Sequence, residues 1–461
     1  MVVSEERAKS RFAFISLGCP KNTVDSERML GQLVQAGHEL TASPDGADVV
    51  VVNTCGFIEP ARQESLSVIR EMLDLKRRGR VGSVIVAGCL AERQREMLLD
   101  EVPEVDQIVG VFGREEIADV VRRAEQVRRL GRGTDEQRTL FRPAPIRSWE
   151  DTARLRITPK HYAYLKISEG CDRTCTFCAI PAMRGKHISK PIDEILKEAQ
   201  ELVDDGVREL IIVAQDTTYY GLDLYGEVRL ASLLRQLDSV EGIEWIRILY
   251  AYPMYFSDEL IEALAGADRI IPYLDMPLQH ASDRMLKRMQ RRVTRRETEQ
   301  LLGRLRSAIP DLCLRTTFIT GFPGETEADV EELESFVREQ RFDRCGVFVY
   351  SREPGTPADR LPDHLPEAVK QARRDRIMQV QQEVAFARGL AQVGQEVEAI
   401  IDAADPEFPG HVIGRTHADA PEIDGIVRIK AKNLHPGDLI RVKITAADGY
   451  DLVGRAVGEP W

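Results

Sequence analysis

Short apolar runs alternate with amphipathic stretches over most of the chain. From about Arg11 to Arg129, the segments Phe12–Leu17, Asp48–Asn53, Ser83–Ala87 and Gln107–Val109 predict strands. Between and after them, Val24–Ala36, Pro60–Arg78, Leu90–Asp100 and Glu115–Arg129 predict helices. This alternation predicts a parallel sheet covered by helices. Leu130–Pro159 is rich in Arg, Gly and Pro with weak periodicity, and reads as a linker. From Tyr162 to about Leu390 the alternation resumes on a larger scale. Its strand candidates are Ala163–Ile167, Glu209–Val213, Trp245–Leu249, Tyr273–Asp275, Leu314–Ile319 and Arg344–Val349. Six such units predict a full or partial (β/α) barrel, closed by the long amphipathic helix Val369–Ala391. After Val393 the pattern turns to short strands with Gly and Pro turns: Glu396–Asp402, His411–Thr416, Gly425–Ile429 and Asp438–Ala446. That predicts a small antiparallel barrel, OB-like in type. The chain is thus expected to be a multidomain α/β protein, divided at 10–129, a linker at 130–159, 160–391 and 392–461.

The length of 461 residues agrees with about three domains. Hydrophobic residues at 43% and charged residues at 30% are globular composition. No apolar run approaches the roughly 18 residues of a membrane span. Met1–Arg11 is charged and lacks an apolar core, so a secretory signal is not expected and a cytoplasmic location is. The net charge of −12 argues against a general nucleic-acid coat and leaves room only for local RNA contact.

Among eight cysteines, Cys313 and Cys345 stand alone in strand-like text and read as small buried hydrophobes. Cys171, Cys175 and Cys178 lie together just after the first barrel strand, at the end where barrel active sites sit. Three thiolates on one short loop can hold three irons of a cubane and leave the fourth open for chemistry. A zinc knuckle is the plain alternative; it needs a fourth ligand, and His187 is the only histidine close by. Cys19, Cys55 and Cys89 each follow a predicted parallel strand by about two residues. Side chains at neighbouring strand ends converge on one crevice, so these thiols form a second candidate site. Thr316–Glu325 (TTFITGFPGE) is a strand running into a glycine-rich turn, where Gly321 and Gly324 allow close backbone approach to a ligand. Gln215 and Asp216, after the second barrel strand, are polar residues placed to reach a bound ligand. His280 reads as a structural polar residue, and Arg184 as either an anion-binding or an ordinary surface arginine.

Glu169–Pro181 (EGCDRTCTFCAIP), with Phe177 inside the loop, resembles the radical S-adenosylmethionine superfamily and, more closely, its methylthiotransferase branch. The resemblance implies that Cys171, Cys175 and Cys178 are catalytic and bind a [4Fe–4S] cluster whose open iron is chelated by S-adenosylmethionine. One-electron reduction would then release a 5′-deoxyadenosyl radical. Ser16–Glu27 (SLGCPKNTVDSE) and Val52–Phe57 (VNTCGF) are similar to the N-terminal domain of that branch. This implies a second [4Fe–4S] cluster on Cys19, Cys55 and Cys89 that carries the sulfur to be inserted. Phe177, Gln215, Asp216, Gly321, Gly324 and Glu325 become cofactor-binding candidates, and Thr316–Glu325 the wall of the adenosine pocket. The C-terminal region resembles a TRAM domain.

Within the branch, GCPKN at Gly18–Asn22, NTCGFI at Asn53–Ile58 and IPAMRG at Ile180–Gly185 look like the enzymes that modify a ribosomal protein. The resemblance implies methylthiolation of the β-carbon of an aspartate in small-subunit ribosomal protein twelve. It also implies two equivalents of S-adenosylmethionine per turnover and a one-electron donor of flavodoxin type. Lys186–Lys190 (KHISK) departs from the texts of either side of the branch and puts the local substrate contacts in doubt. From Gln392 onward seven Lys and Arg face twelve Asp and Glu, which suits a basic protein partner better than RNA. A transfer-RNA adenosine methylthiotransferase is the alternative, and a non-catalytic iron–sulfur RNA-binding protein a more distant one.

Overall fold

The computed structural model describes residues 10–130 and 138–461. The expectations for Met1–Arg11 and for the first part of the 130–159 connector fall at residues 1–9 and 131–137, outside the described residues. The chain divides into two units. The first comprises Met1–Ile157, Glu169–Asp172 and Ala179–Ile188; the second comprises Thr158–Ser168, Arg173–Cys178 and Ser189–Trp461.

The first unit is built on a parallel six-stranded sheet. Its spatial order is Glu39–Leu40, Arg11–Ser16, Val49–Thr54, Ser83–Gly88, Gln107–Val109 and Thr139–Leu140. The central strands are buried along their whole length because both faces are covered. Val50, Val52, Val84 and Val86 pack on Leu66, Ile69 and Leu73 of helix Glu59–Arg77. Val49, Val51 and Ile85 pack on Met29, Leu30 and Leu33 of helix Pro20–Gln35. That helix starts four residues before the hydrophobic period shows it, because Pro20 occupies its first turn directly after Cys19. The helix expected at Leu90–Asp100 is two short ones, Cys89–Gln94 and Met97–Glu101, broken at Arg95 with φ 51°. The segment read as a linker contributes the strand Thr139–Leu140, and its Asp151 is buried.

The second unit holds six parallel strands in the order Arg344–Val349, Cys313–Thr320, Ile270–Asp275, Trp245–Ile248, Glu209–Val213 and Tyr162–Lys166. The two outermost strands do not pair with each other, so the barrel is partial. Helix Glu367–Ala391 packs Ile377 and Val380 into its core. A closed five-stranded barrel follows: Glu396–Ala404, His411–Thr416, Val427–Lys430, Asp451–Val457 and Leu439–Asp448. The sequence pattern missed the strand last in the chain, Asp451–Val457, which pairs in parallel with Val427–Lys430.

Buried ion pairs fix this barrel to the α/β sheet. Glu209, the first residue of its strand, accepts from Arg247 at 2.8 Å and pairs with Arg415 at 2.7 Å, while Arg415 also pairs with Asp402 at 2.8 Å. Arg315 meets Asp424 at 3.3 Å, and Arg344 pairs with Asp419. Part of the barrel's acidity is therefore spent inside the molecule. Glu209 and Arg344 open their strands, so the docking leaves the carboxyl ends of those strands to other work. No helix among the described residues is long and apolar enough to cross a membrane.

Candidate active site

In the first unit, Cys19, Cys55 and Cys89 follow strands ending at Ser16, Thr54 and Gly88. The strand order reverses between the first and third strands, which opens a crevice at their carboxyl ends. The loops there lie very close. A Cβ at Gly18, whose φ is +100°, would stand 3.0 Å from Cys55 Cβ and 3.3 Å from its Sγ. One at Gly56 would stand 2.7 Å from the Cys89 carbonyl oxygen.

The three thiols feel one another. Burial pushes Cys89 up to about 12, Arg184 opposing and Cys19 and Cys55 adding to it. Burial also raises Cys55, partly countered by the Phe57 N–H. Burial opposes ionisation of Cys19 as well, but Lys21, Arg184 and the backbone N–H groups of Asn22 and Lys21 outweigh it and hold that thiol low.

Arg184 is the hub of this site. It is 2% exposed. Its Nε and Nη2 lie 3.3 and 3.2 Å from Cys89 Sγ, its Nη1 2.6 Å from Asp25 and 3.2 Å from Glu169, and its Nη2 3.2 Å from Asn22 Oδ1. Arg114 pairs with Asp25 and, at 2.6 Å, with Asp151, and lies 4.7 Å from the Trp149 ring centroid. Sequence offered Arg184 as an anion site or a surface residue. It is not on the surface, and the anions it meets are the protein's own carboxylates, with a thiol beside them. Glu169 stands two residues before Cys171, whose N–H donates to the Gly185 carbonyl. Arg184 therefore ties Cys89 to the chain segment that carries Cys171.

Cys175 and Cys178 belong to the second unit, and the Cys178 N–H donates to the Cys175 carbonyl at 3.1 Å. Thr176 donates its N–H to Met289 O and its hydroxyl to Arg288 O, both at 3.0 Å. Arg291 Nη1 lies 3.7 Å from Cys175 Sγ, with the guanidinium 4.0 Å from the Tyr252 ring centroid. Phe177 packs against the cluster of Met285, Met289, Phe322 and Tyr350. Gln215 is half-buried beyond the strand Glu209–Val213. Asp216 accepts from Arg173 at 2.6 Å and from Thr218 at 2.8 Å, so one of its oxygens is held by the cysteine loop itself. Arg173 in turn sits among Tyr219, Tyr252 and Tyr255, 4.3 to 5.1 Å from their ring centroids. Arg173, Arg291, Asp25 and Glu169 were not legible as site residues. Arg173 and Glu169 had a signal in their place beside the loop cysteines, and Asp25 in its place within Ser16–Glu27; Arg291 had none.

The glycine-rich turn is held from behind. A Cβ at Gly321 would strike Lys370 Cγ at 2.3 Å, and the Gly321 N–H donates to Glu325 at 2.8 Å. Glu325 also accepts from Arg373 at 2.7 Å and meets His280 Nε2 at 3.3 Å. His280 Nδ1 accepts from the N–H groups of Ala281 and Ser282, so its proton is on Nε2 and points at Glu325. Glu325 and His280 thus shape the turn, and Gly324 carries it on with its N–H on the Asp363 carbonyl. Cys313 and Cys345 are structural: burial raises both, and the Cys313 thiol faces the Ala418 carbonyl at 3.6 Å.

Among the described residues no three His, Cys, Asp or Glu side chains close around a point as they would for a single metal ion. A cubane's ligands sit on separate irons and have no need to. Three neighbouring thiols whose ionised forms would repel one another, beside a fixed guanidinium, fit a cationic iron core that stabilises the thiolates together.

Residues 165–337 match the radical SAM superfamily, 11–110 the uncharacterized protein family UPF0004, and 393–457 the TRAM domain. Among solved structures, the radical S-adenosylmethionine methyltransferase TsrM from Kitasatospora setae is similar in fold. Its TM-score is 0.55 at 13% identity, over 76% of this chain and 77% of that one. The chain is 47% identical to the ribosomal protein uS12 methylthiotransferase RimO of Symbiobacterium thermophilum, over 97% of this chain and 91% of that protein. It is 49% identical to the protein of the same name from Anaeromyxobacter sp. (strain K), over 96% and 92%. Identity at this level along both chains, joined to the cysteine geometry above, leads to one conclusion: the chain belongs to the RimO family of ribosomal protein uS12 methylthiotransferases.

Proposed function

We propose that the protein methylthiolates the β-carbon of an aspartate in ribosomal protein uS12, using two iron–sulfur sites: Cys171, Cys175 and Cys178 for one, Cys19, Cys55 and Cys89 for the other. As a radical SAM methylthiotransferase the enzyme uses S-adenosylmethionine and a [4Fe–4S] cluster. Bound to these residues, the clusters and S-adenosylmethionine supply one-electron chemistry at an unactivated C–H bond, a sulfur atom and a methyl group, none of which a side chain can provide. The observation that carries the two-site reading is the gathering of Cys19, Cys55 and Cys89 beside Arg184. The chain's own residues do the positioning. Arg184 holds the Cys89 side and the segment before Cys171 in one hydrogen-bonded frame, which favours fixed donor geometry. Glu325, Arg373 and His280 fix the Gly321 turn, whose backbone is thereby open to close approach by adenosine. Asp216 and Arg173 hold each other at the carboxyl end of the Glu209–Val213 strand. Two equivalents of S-adenosylmethionine, a one-electron donor of flavodoxin type and a cytoplasmic setting complete the reading.

The transfer-RNA reading keeps one observation in its favour. Lys430, Arg455 and Lys443 occupy matching register positions on three adjoining strands of the C-terminal barrel. Such a basic row suits phosphates. The test is an anaerobic assay of reduced, reconstituted enzyme with S-adenosylmethionine and either uS12 or undermodified transfer RNA, read by mass spectrometry. A methylthio group on the protein supports the proposal; one on the RNA alone overturns the substrate.

A further inference from the structure

We propose that Arg291 is a positioning residue that sets the reduction potential of the cluster on Cys171, Cys175 and Cys178, its buried guanidinium favouring the state with one more electron. This rests on the reading of Cys175 as a cluster ligand.

Arg291 is 7% exposed. Its Nη1 lies 3.7 Å from Cys175 Sγ, its Nη2 donates to the Pro277 carbonyl, and the guanidinium lies 4.0 Å from the Tyr252 ring centroid. Its Nε is buried and meets no acceptor among the described residues. The partners of this side chain are thus a thiol, a carbonyl and a ring, with no carboxylate among them. The same Tyr252 ring carries a second guanidinium, Arg173, at 4.3 Å, and Arg173 gives its Nε to Asp216 at 2.6 Å. The charge of Arg173 is met by a protein carboxylate; that of Arg291 is not. A buried cation without a counter-charge is costly. A phenol is neutral at ordinary pH, so of the groups touching Arg291 only Cys175 can supply the negative charge.

The guanidinium is also fixed in place from the cysteine loop. Thr176 donates its N–H to Met289 O and its hydroxyl to Arg288 O, both at 3.0 Å, which fastens the segment before Arg291 to the residue after Cys175. On the other side the Arg292 N–H donates to the Tyr252 hydroxyl at 3.2 Å. Reduction adds one electron to a site that already carries three thiolates. No bond is made or broken and no proton crosses, because an arginine stays protonated in both states. A fixed cation beside one ligand, away from water, lowers the energy of the more negative state and so raises the potential.

The test uses the full-length chain with Cys19, Cys55 and Cys89 replaced by Ala, so that one cluster is titrated. This parent is compared with its Arg291→Met, Arg291→Gln and Arg291→Lys variants by anaerobic potentiometry read by electron paramagnetic resonance. Arg291→Met and Arg291→Gln are expected to make the cluster harder to reduce. At a fixed applied potential the ratio of reduced to oxidised cluster falls about tenfold, or about 59 mV for one electron. Arg291→Lys keeps the charge and shows less than half of that shift. Arg292→Gln, which removes an exposed and screened charge, moves the ratio less than about twofold. An unchanged ratio in Arg291→Met or Arg291→Gln overturns the proposal. So does an equal fall in Arg291→Lys, which makes packing the cause, and so does an equal fall in Arg292→Gln, which makes it overall surface charge. If one neutral variant takes up no iron the other decides; if neither does, Arg291 serves assembly and the proposal fails. If the parent itself holds no reducible cluster, the cysteine reading fails, a result distinct from all of these.

Discussion

Each cysteine site has an arginine at one sulfur, and the two arginines live in opposite surroundings. Arg184, at Cys89, is enclosed by Asp25, Glu169 and Asn22, and Arg114 and Asp151 extend the network. Arg291, at Cys175, has a tyrosine face and a carbonyl, and its chain neighbour Arg292 is exposed. The first site is closed by ion pairs that must all be satisfied together. The second is backed by aromatic packing and sits one residue from the surface. The closure belongs to the arginine network and not to the thiols: Cys19 and Cys55 are half-buried, whereas Cys171 and Cys175 are buried.

Substitutions at the cysteines should separate the two sites most sharply. Cys171→Ala is expected to abolish S-adenosylmethionine cleavage, whereas Cys55→Ala is expected to retain cleavage and lose sulfur insertion. Chromatographic assay of 5′-deoxyadenosine beside mass spectrometry of uS12 reads both, and loss of cleavage in Cys55→Ala would break the division of labour. The arginines come next. Arg184→Met removes the buried cation shared by Asp25, Glu169 and Cys89, leaving Asp25 to Arg114, and should cost about 3–5 kcal/mol in unfolding free energy. Arg291→Met loses a cation–π contact and carbonyl hydrogen bonding and should cost about 1–2 kcal/mol. Equal losses in denaturant titration would erase the contrast.

A closed charge network also exists in the second unit, away from the cysteine loop. Glu209 lies between Arg415 and Arg247. Burial alone would raise its carboxyl, and the two guanidiniums outweigh it and hold it below the usual range. Its contribution is therefore complete above the unfolded-chain value of about 4.3 and is lost as pH falls through the lower folded value. Glu209→Gln should flatten the acid limb of the stability–pH curve, and an unchanged limb would mean the pair contributes nothing. An effect as small as that of Arg291→Met is expected from Gly18→Ala, where a positive φ and a Cβ 3.0 Å from Cys55 should cost about 1–2 kcal/mol and lower iron uptake by the first unit.

The two sites also differ in how they are written in the chain. Cys171, Cys175 and Cys178 are contiguous, so spacing alone announced them. Cys19, Cys55 and Cys89 are brought together by strand order, and the hints were their shared position after a strand and the family-like text around Cys19 and Cys55. Arg184 could not be weighed from sequence, because its partners Asp25, Cys89 and Glu169 come from separate segments. The strands of both sheets were legible because buried parallel strands are continuously apolar. Glu39–Leu40 and Thr139–Leu140 were not, since two residues carry no period. Asp451–Val457 was hidden by a Gly-Tyr turn and by outward-facing polar residues. Part of the barrel's net acidity is not a surface property, because Asp402, Asp419 and Asp424 are spent on Arg415, Arg344 and Arg315.

The central claim is that the chain carries two separate cluster sites. Iron and sulfide per chain should be measured after anaerobic reconstitution of the wild type, of a variant with Cys19, Cys55 and Cys89 replaced by Ala, and of one with Cys171, Cys175 and Cys178 replaced. The account predicts that each triple variant holds about half the iron of the wild type and keeps a [4Fe–4S] electron paramagnetic resonance signal on reduction. If removing Cys19, Cys55 and Cys89 leaves the iron content unchanged, the chain has one cluster and the account is wrong.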